Sequence, residues 1–276
     1  MQQQNRAQVQ GMAPRAAGAR LGIAYDDLGT GQAALLFLPG WCSSRKVFQS
    51  LPALCAERHR VLALDWPGHG ESDPAHGTFG EEELVQSAAE VLRHAQVERV
   101  IPVALAHSGW IALELRRRLG SAVPGIVLVD WLVCEPPQAF LAALRALQRE
   151  SDWQAARDGL FSKWLQGVEH PRLQEFVSHD MGSHGFGMWS RAGSAIERAY
   201  ATYRSPLAAL SAIRPPVPVL HLYAQPEDAE FLGLQQTYAR EHSSFRVRKL
   251  AARSHFPMFE VPETMAKLIG EFATLD

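Results

Sequence analysis

The segment Val100-Ile-Pro-Val-Ala-Leu-Ala-His-Ser-Gly-Trp110 has the make-up of a buried strand, a sharp turn and the start of a helix. A turn of this kind ordinarily carries G-x-S-x-G, with the central serine attacking an acyl carbon. Here the same frame gives Ala104-Leu105-Ala106-His107-Ser108, so an alanine stands at the tip. A frame shifted by two puts Ser108 there instead, and strand parity allows both. Sterics favour Ala106, because strand and helix pack closely and the positions two before and two after the tip must be small. Ala104 and Ser108 meet that demand; with Ser108 at the tip, the later position is Trp110, which clashes. Without a serine, the chemistry has to begin at a base.

His255 is the candidate base. It follows a strand and sits in the loop Ser254-His255-Phe256-Pro257, where a side chain can point into the mouth of a sheet. Asp130 ends an apolar strand, and a carboxylate is expensive to bury there without a partner. Accepting a hydrogen bond from the imidazole would hold one tautomer and stabilise the imidazolium, strengthening the base. The alternatives are that Asp130 caps the next segment, or that Asp228, in a polar loop, takes the acid role.

Trp41 follows Pro39-Gly40 at a strand end and should face the crevice where open α/β sheets bind ligands. Its backbone N–H and that of His107 suit an oxyanion hole. The His107 side chain either orients substrate or satisfies the turn. Trp164 and Trp189 either hold helices together or touch ligand. Asp65, Gly68 and His69 read as a structural turn, and Cys42 as packing.

These residues need a scaffold. Strands are expected at Leu21–Tyr25, Ala33–Leu38, Arg60–Asp65, Val97–Ala104, Gly125–Asp130, Pro215–Tyr223 and Ser244–Leu250, with a turn at Asp26–Gly31. Helical spacing covers Phe48–Ala56, Glu81–His94, Gly109–Leu119, Leu232–Ala239 and Glu263–Leu275. Continuous apolar strands alternating with helices predict a mostly parallel sheet with right-handed crossovers. The rhythm changes over 134–205, which is helical and rich in Trp, Phe and Met. It is expected to form a cap inserted into a core of 21–133 and 206–276, behind a disordered tail, 1–20.

The 276 residues suffice for one large α/β domain with a lid. A net charge of -2 gives no sign of nucleic-acid or anionic-membrane binding. Three scattered cysteines, Cys42, Cys55 and Cys134, do not make a disulfide framework or zinc site. With no bilayer-spanning apolar run and no secretory signal, the expected setting is cytoplasmic. Neither a glycine-rich dinucleotide loop nor a set of metal ligands is evident.

Leu38-Pro39-Gly40-Trp41, Asp65-Trp66-Pro67-Gly68-His69-Gly70-Glu71-Ser72 and Ser254-His255-Phe256-Pro257 resemble three landmarks of α/β-hydrolases. Pro39–Cys42, Val129–Leu132, Gly159–Trp164, Met188–Arg191, Ala224–Pro226 and Ser254–Pro257 are more narrowly similar to the cofactor-free dioxygenases that cleave 3-hydroxy-4-quinolones. The resemblance runs from about Leu21 to the end of the chain. It implies an α/β-hydrolase fold whose helical cap follows strand six in the family's count. It also implies His255 as base, Asp130 as its orienting carboxylate, and Trp41, Trp164 and His107 around the substrate. No cofactor or metal is implied; the partners would be a small heteroaromatic substrate and O2. Three positions depart from the family: Ser43 and Leu105 stand where histidines occur, and Ala106 replaces the elbow serine. The first two predict a less basic, more apolar pocket. The competing expectations are a serine hydrolase of esters or amides using Ser108, and a non-catalytic binding protein on a hydrolase scaffold.

Overall fold

The computed structural model describes residues 22–75 and 80–274. Seven strands form one sheet in the order β1-β3-β2-β4-β5-β6-β7. They are β1 (Tyr25–Leu28), β2 (Ala33–Leu38), β3 (Arg60–Leu64), β4 (Arg99–Leu105), β5 (Ile126–Val129), β6 (Val219–Tyr223) and β7 (Phe245–Lys249). β1 runs antiparallel to β3, and the other five pairings are parallel. β2, β4 and β5 are almost wholly buried, as strands covered by helices on both faces must be. The core helices are α1 (Leu51–Ala56), α2 (Glu81–His94), α3 (Ser108–Leu119), α9 (Ala229–Glu241) and α10 (Pro262–Ala273). Between β5 and β6 the chain is helical: α4 (Gln138–Leu147), α5 (Trp153–Trp164), α6 (Pro171–Glu175), α7 (Phe186–Tyr203) and α8 (Pro206–Ser211).

The sequence expectations need correction in four places. The first strand is Tyr25–Leu28, which takes in the residues expected to turn. Its carboxylates are held by cations: Asp26 accepts from Arg45 Nε at 2.9 Å, and Asp27 accepts from Arg60 Nε and Nη2 at 3.0 and 2.7 Å. An edge strand tolerates such charges. The helix expected from Phe48 is a short 3-10 turn, Arg45–Phe48, followed by α1, where Pro52 occupies the first turn. The strand expected from Pro215 starts only at Val219, since Pro215, Pro216 and Pro218 have no N–H for a ladder. The strand expected over Val97–Ala104 runs from Arg99 to Leu105, one residue further toward the elbow. Leu21, Leu275 and the expected tail 1–20 lie outside the described residues. No helix among the described residues is long and apolar enough to cross a membrane.

Candidate active site

Strand order reverses at β2: β3 lies on one side and β4 on the other. A crevice opens at such a switch point, beyond the carboxyl ends of the strands. Three non-glycine residues beyond these ends adopt positive φ: Cys42 (58°) after β2, Ala106 (51°) after β4 and Asp130 (43°) after β5. Left-handed backbone at ordinary residues is strained and gathers where a fold must aim functional groups.

Ala106 occupies the turn between β4 and α3. Its N–H donates to the Val129 carbonyl at 2.8 Å, and its own carbonyl accepts from Gly109 N–H at 3.0 Å. Ser108 is buried on the first turn of α3, and its hydroxyl donates to the Pro39 carbonyl. A methyl group on Gly109 would come within 2.2 Å of the Trp131 ring. This is the close strand–helix approach that requires small residues at the elbow. Leu105 is buried at the end of β4. Ser43 borders the cavity but spends its hydroxyl on the Gly40 carbonyl at 3.0 Å.

Asp130 and His255 meet although 125 positions separate them in the sequence. His255 Nδ1 lies 2.9 Å from Asp130 Oδ1. The other carboxylate oxygen accepts from the N–H groups of Ala224 at 2.7 Å and Gln225 at 3.2 Å. The carboxylate is therefore both imidazole partner and backbone cap. Because Oδ1 can only accept, the proton sits on Nδ1 and Nε2 is left as the basic nitrogen. The imidazole stacks on Trp164, centroids 5.0 Å apart, and the His255 N–H donates to the Trp164 carbonyl at 3.0 Å. Asp228 instead caps α9, accepting from Phe231 N–H at 2.6 Å.

These groups border a cavity of about 890 Å³. At the strand ends it is lined by Trp41, Ala106, His107, Asp130 and His255; on the helical side by Phe140, Leu144, Leu147, Leu160, Trp164, Trp189 and Ile196. Trp41 stacks on His107 at 5.7 Å. Trp189 packs edge-on against Phe161 and also lines the cavity. His107 Nε2 is buried and has no hydrogen-bond partner among the described residues. Among the described residues no three His, Cys, Asp or Glu side chains cluster as a metal site requires.

His69 lies behind this wall, with Nδ1 donating to the Pro67 carbonyl at 2.9 Å and Nε2 accepting from Cys42 N–H at 3.0 Å. Burial, aided by His184, pushes His69 down to about 3. Burial, aided by His255 and His69, pushes His107 down to about 3 as well. An unfolded histidine titrates near 6.5. Between about pH 6.5 and 3 the unfolded chain therefore binds more protons, and stability falls as pH falls. The melting temperature is expected to decline progressively below about pH 6 in a series of thermal scans. A midpoint that does not move down to about pH 5 would contradict this.

With this geometry in view, known proteins can be compared. A model of the alpha/beta hydrolase family matches residues 35–268. The 2-heptyl-3-hydroxy-4(1H)-quinolone dioxygenase of Mycobacteroides abscessus is 33% identical over 246 residues, 88% of this chain and 91% of the relative. The chain belongs to the alpha/beta hydrolase family, among its quinolone dioxygenases. This dioxygenase is also 29% identical to the 1H-3-hydroxy-4-oxoquinoline 2,4-dioxygenase of Pseudomonas putida over 252 residues, 91% of this chain and 95% of that one. The solved structure of an AqdC variant in complex with its substrate superposes with a TM-score of 0.90 at 31% identity, covering 95% of this chain and 98% of the other. The relatives make the protein an enzyme, a 2,4-dioxygenase.

Three further residues hold the loops of the site in this dioxygenase: Glu260 and Asp180 carry no sequence signal, and Gln225 lies in the Ala224–Pro226 match without its role being predicted. Glu260 accepts from Arg253 N–H at 3.0 Å, Ser254 N–H at 2.9 Å and the Ser254 hydroxyl at 2.6 Å, gripping the loop that bears His255. The Gln225 amide donates to the Arg253 carbonyl at 2.7 Å. Asp180, from the helical insertion, accepts from Ser44 N–H at 3.0 Å and the Ser44 hydroxyl at 2.8 Å, tying that segment to the loop of Trp41. Each is a single polar side chain, and the partner of Asp180 lies 136 residues away in the chain.

Proposed function

We propose that the protein cleaves the ring of a 2-alkyl-3-hydroxy-4-quinolone with O2, using His255 as base and Asp130 as its orienting carboxylate, without cofactor or serine nucleophile. The supporting observation is the Asp130–His255 hydrogen bond at the edge of a large aromatic cavity with alanine at the elbow. His255 Nε2 takes the 3-hydroxyl proton, and the N–H groups of Trp41 and His107 stabilise the oxyanion. Trp41, Trp164 and Trp189 flank the flat ring, with the His107 imidazole, Ser43, Leu105 and Ala106 beside it. The electron-rich anion adds O2 at C2. The distal oxygen closes on C4, and breaking of the O–O, C2–C3 and C3–C4 bonds releases C3 with its oxygen as carbon monoxide. One O2 atom remains on C2 as an amide carbonyl and the other on C4 as a carboxylate, so atoms balance. Residues 134–205 serve as the cap of the pocket on a core of 21–133 and 206–276. Oxygen uptake and carbon monoxide release with such quinolones test the reading; no uptake at any tail length would sink it.

The helical side supports a substrate with an alkyl tail. Phe140, Leu144, Leu147, Leu160 and Ile196 offer a hydrocarbon lining without charge. Leu144→Trp should fill part of it. Displacing three methylenes, at about 0.8 kcal/mol each, raises KM for a heptyl substrate by about 50-fold. KM for a methyl substrate should stay within about threefold, and an equal rise for both would refute the tail assignment.

Ser108 is buried with its hydroxyl committed to Pro39, which disfavours the hydrolase reading. A fluorophosphonate probe is expected to leave the native enzyme unlabelled. Labelling that disappears in Ser108→Ala would restore that reading.

A further inference from the structure

We propose that His221 and Gln235 are positioning residues for the base, holding the turn that aims Asp130 at His255. The proposal rests on the dyad reading above. His221 on β6 and Gln235 on α9 are both 0% exposed. His221 Nε2 accepts the Trp131 N–H at 3.3 Å, directly after Asp130. Its Nδ1 lies 2.5 Å from Gln235 Oε1. Gln235 Nε2 donates to the Phe231 carbonyl at 3.3 Å, which leaves the amide oxygen facing the imidazole. Gln235 thereby keeps the proton on Nδ1 and the lone pair on Nε2.

That lone pair matters because the turn at Asp130 is left-handed and needs restraint. β6 and the residues just after it provide four contacts: the Leu222 carbonyl accepts from Asp130 N–H at 2.8 Å, Ala224 and Gln225 donate to Oδ2, and His221 accepts from Trp131. The last is the contact made by a β6 side chain. It exists only while the imidazole is neutral, since an imidazolium would set Nε2–H against the Trp131 N–H. Burial pushes His221 down to about 4, opposed by Gln235 and Asp130. Tyr223 stacks on the ring at 5.4 Å, and its hydroxyl is pushed up by burial to about 12, so it too is neutral.

Gln235→Glu tests this with little change of shape, because a carboxylate at this position favours the imidazolium. In the folded variant, kcat at about pH 6.5 should fall by roughly 10- to 100-fold with KM nearly unchanged. Raising the pH should restore it, so the acid limb of the kcat–pH profile lies at higher pH than in the wild type. His221→Gln, whose oxygen can still take the Trp131 N–H, should keep more activity than His221→Leu. In ¹⁵N-histidine-labelled protein, the downfield Nδ1–H resonance of His255 should shift in Gln235→Glu without any substrate. Wild-type kcat–pH behaviour and an unmoved resonance in Gln235→Glu would overturn the proposal, as would equal kcat in His221→Gln and His221→Leu. A shifted resonance in an enzyme inert toward quinolones would instead leave the positioning role standing and remove the proposed reaction.

Discussion

Replacing His255 by alanine is expected to lower oxygen uptake by about 10³-fold while the protein stays folded. In the proposed reaction the imidazole receives the substrate's hydroxyl proton, and a positioned general base contributes roughly 10² to 10⁴ in rate. Its backbone bond to the Trp164 carbonyl does not involve the side chain, and the Glu260 grip on Arg253 and Ser254 survives the change. KM should therefore move little, since the aromatic and aliphatic walls still bind the ring and tail. Raising the pH should recover part of the lost rate, because the substrate hydroxyl then ionises unaided. An oxygen electrode checks all three points, and an undiminished kcat in this variant would remove His255 from the base role.

Asp130→Asn should be almost as damaging, at about 10²- to 10⁴-fold in kcat, for a reason specific to this geometry. Oδ2 accepts from two backbone N–H groups, Ala224 and Gln225. The asparagine must turn its oxygen toward those donors, which points its NH2 at His255 Nδ1. That nitrogen then has to accept, the imidazole proton moves to Nε2, and the nitrogen facing the cavity loses its basic lone pair. Asp130→Glu would keep the charge but push the longer chain against the same two amides. Steady-state kinetics and the tautomer of His255 in ¹⁵N-labelled protein check this together. A variant with near-normal kcat would mean that Asp130 only caps the loop after β6.

Much of this site was legible in the chain. The elbow assignment needed only side-chain size around Ala106, and Gly109 shows why: its Cα lies so close to Trp131 that even a methyl has no room. Asp130 stood out because it ends an apolar strand, where a carboxylate is costly unless partnered, and His255 because its Ser-His-Phe-Pro loop follows a strand and matches the family's. The edge strand was misplaced because Asp26 and Asp27 look like turn residues until Arg45 and Arg60 are seen beside them. Glu260 and Asp180, and the role of Gln225, were invisible for a related reason. A single carboxylate or amide on a surface segment has no periodicity, and its meaning lies in a backbone group that folding brings near.

The sequence by itself determined the alternation of strands and helices, the helical insertion and the candidates proposed here as base and orienting carboxylate. These follow from local properties: apolar runs, turn residues, and polar groups at strand ends. The tertiary structure decided that Asp130 rather than Asp228 faces His255, and that the hydroxyl of Ser108 is turned away into Pro39. It also decided that His221, anonymous in an apolar strand, lies behind the catalytic turn. Those outcomes depend on strand register and on which of several nearby donors each oxygen meets. Pairings between residues about a hundred positions apart are set by packing of the whole sheet, and no local pattern encodes them.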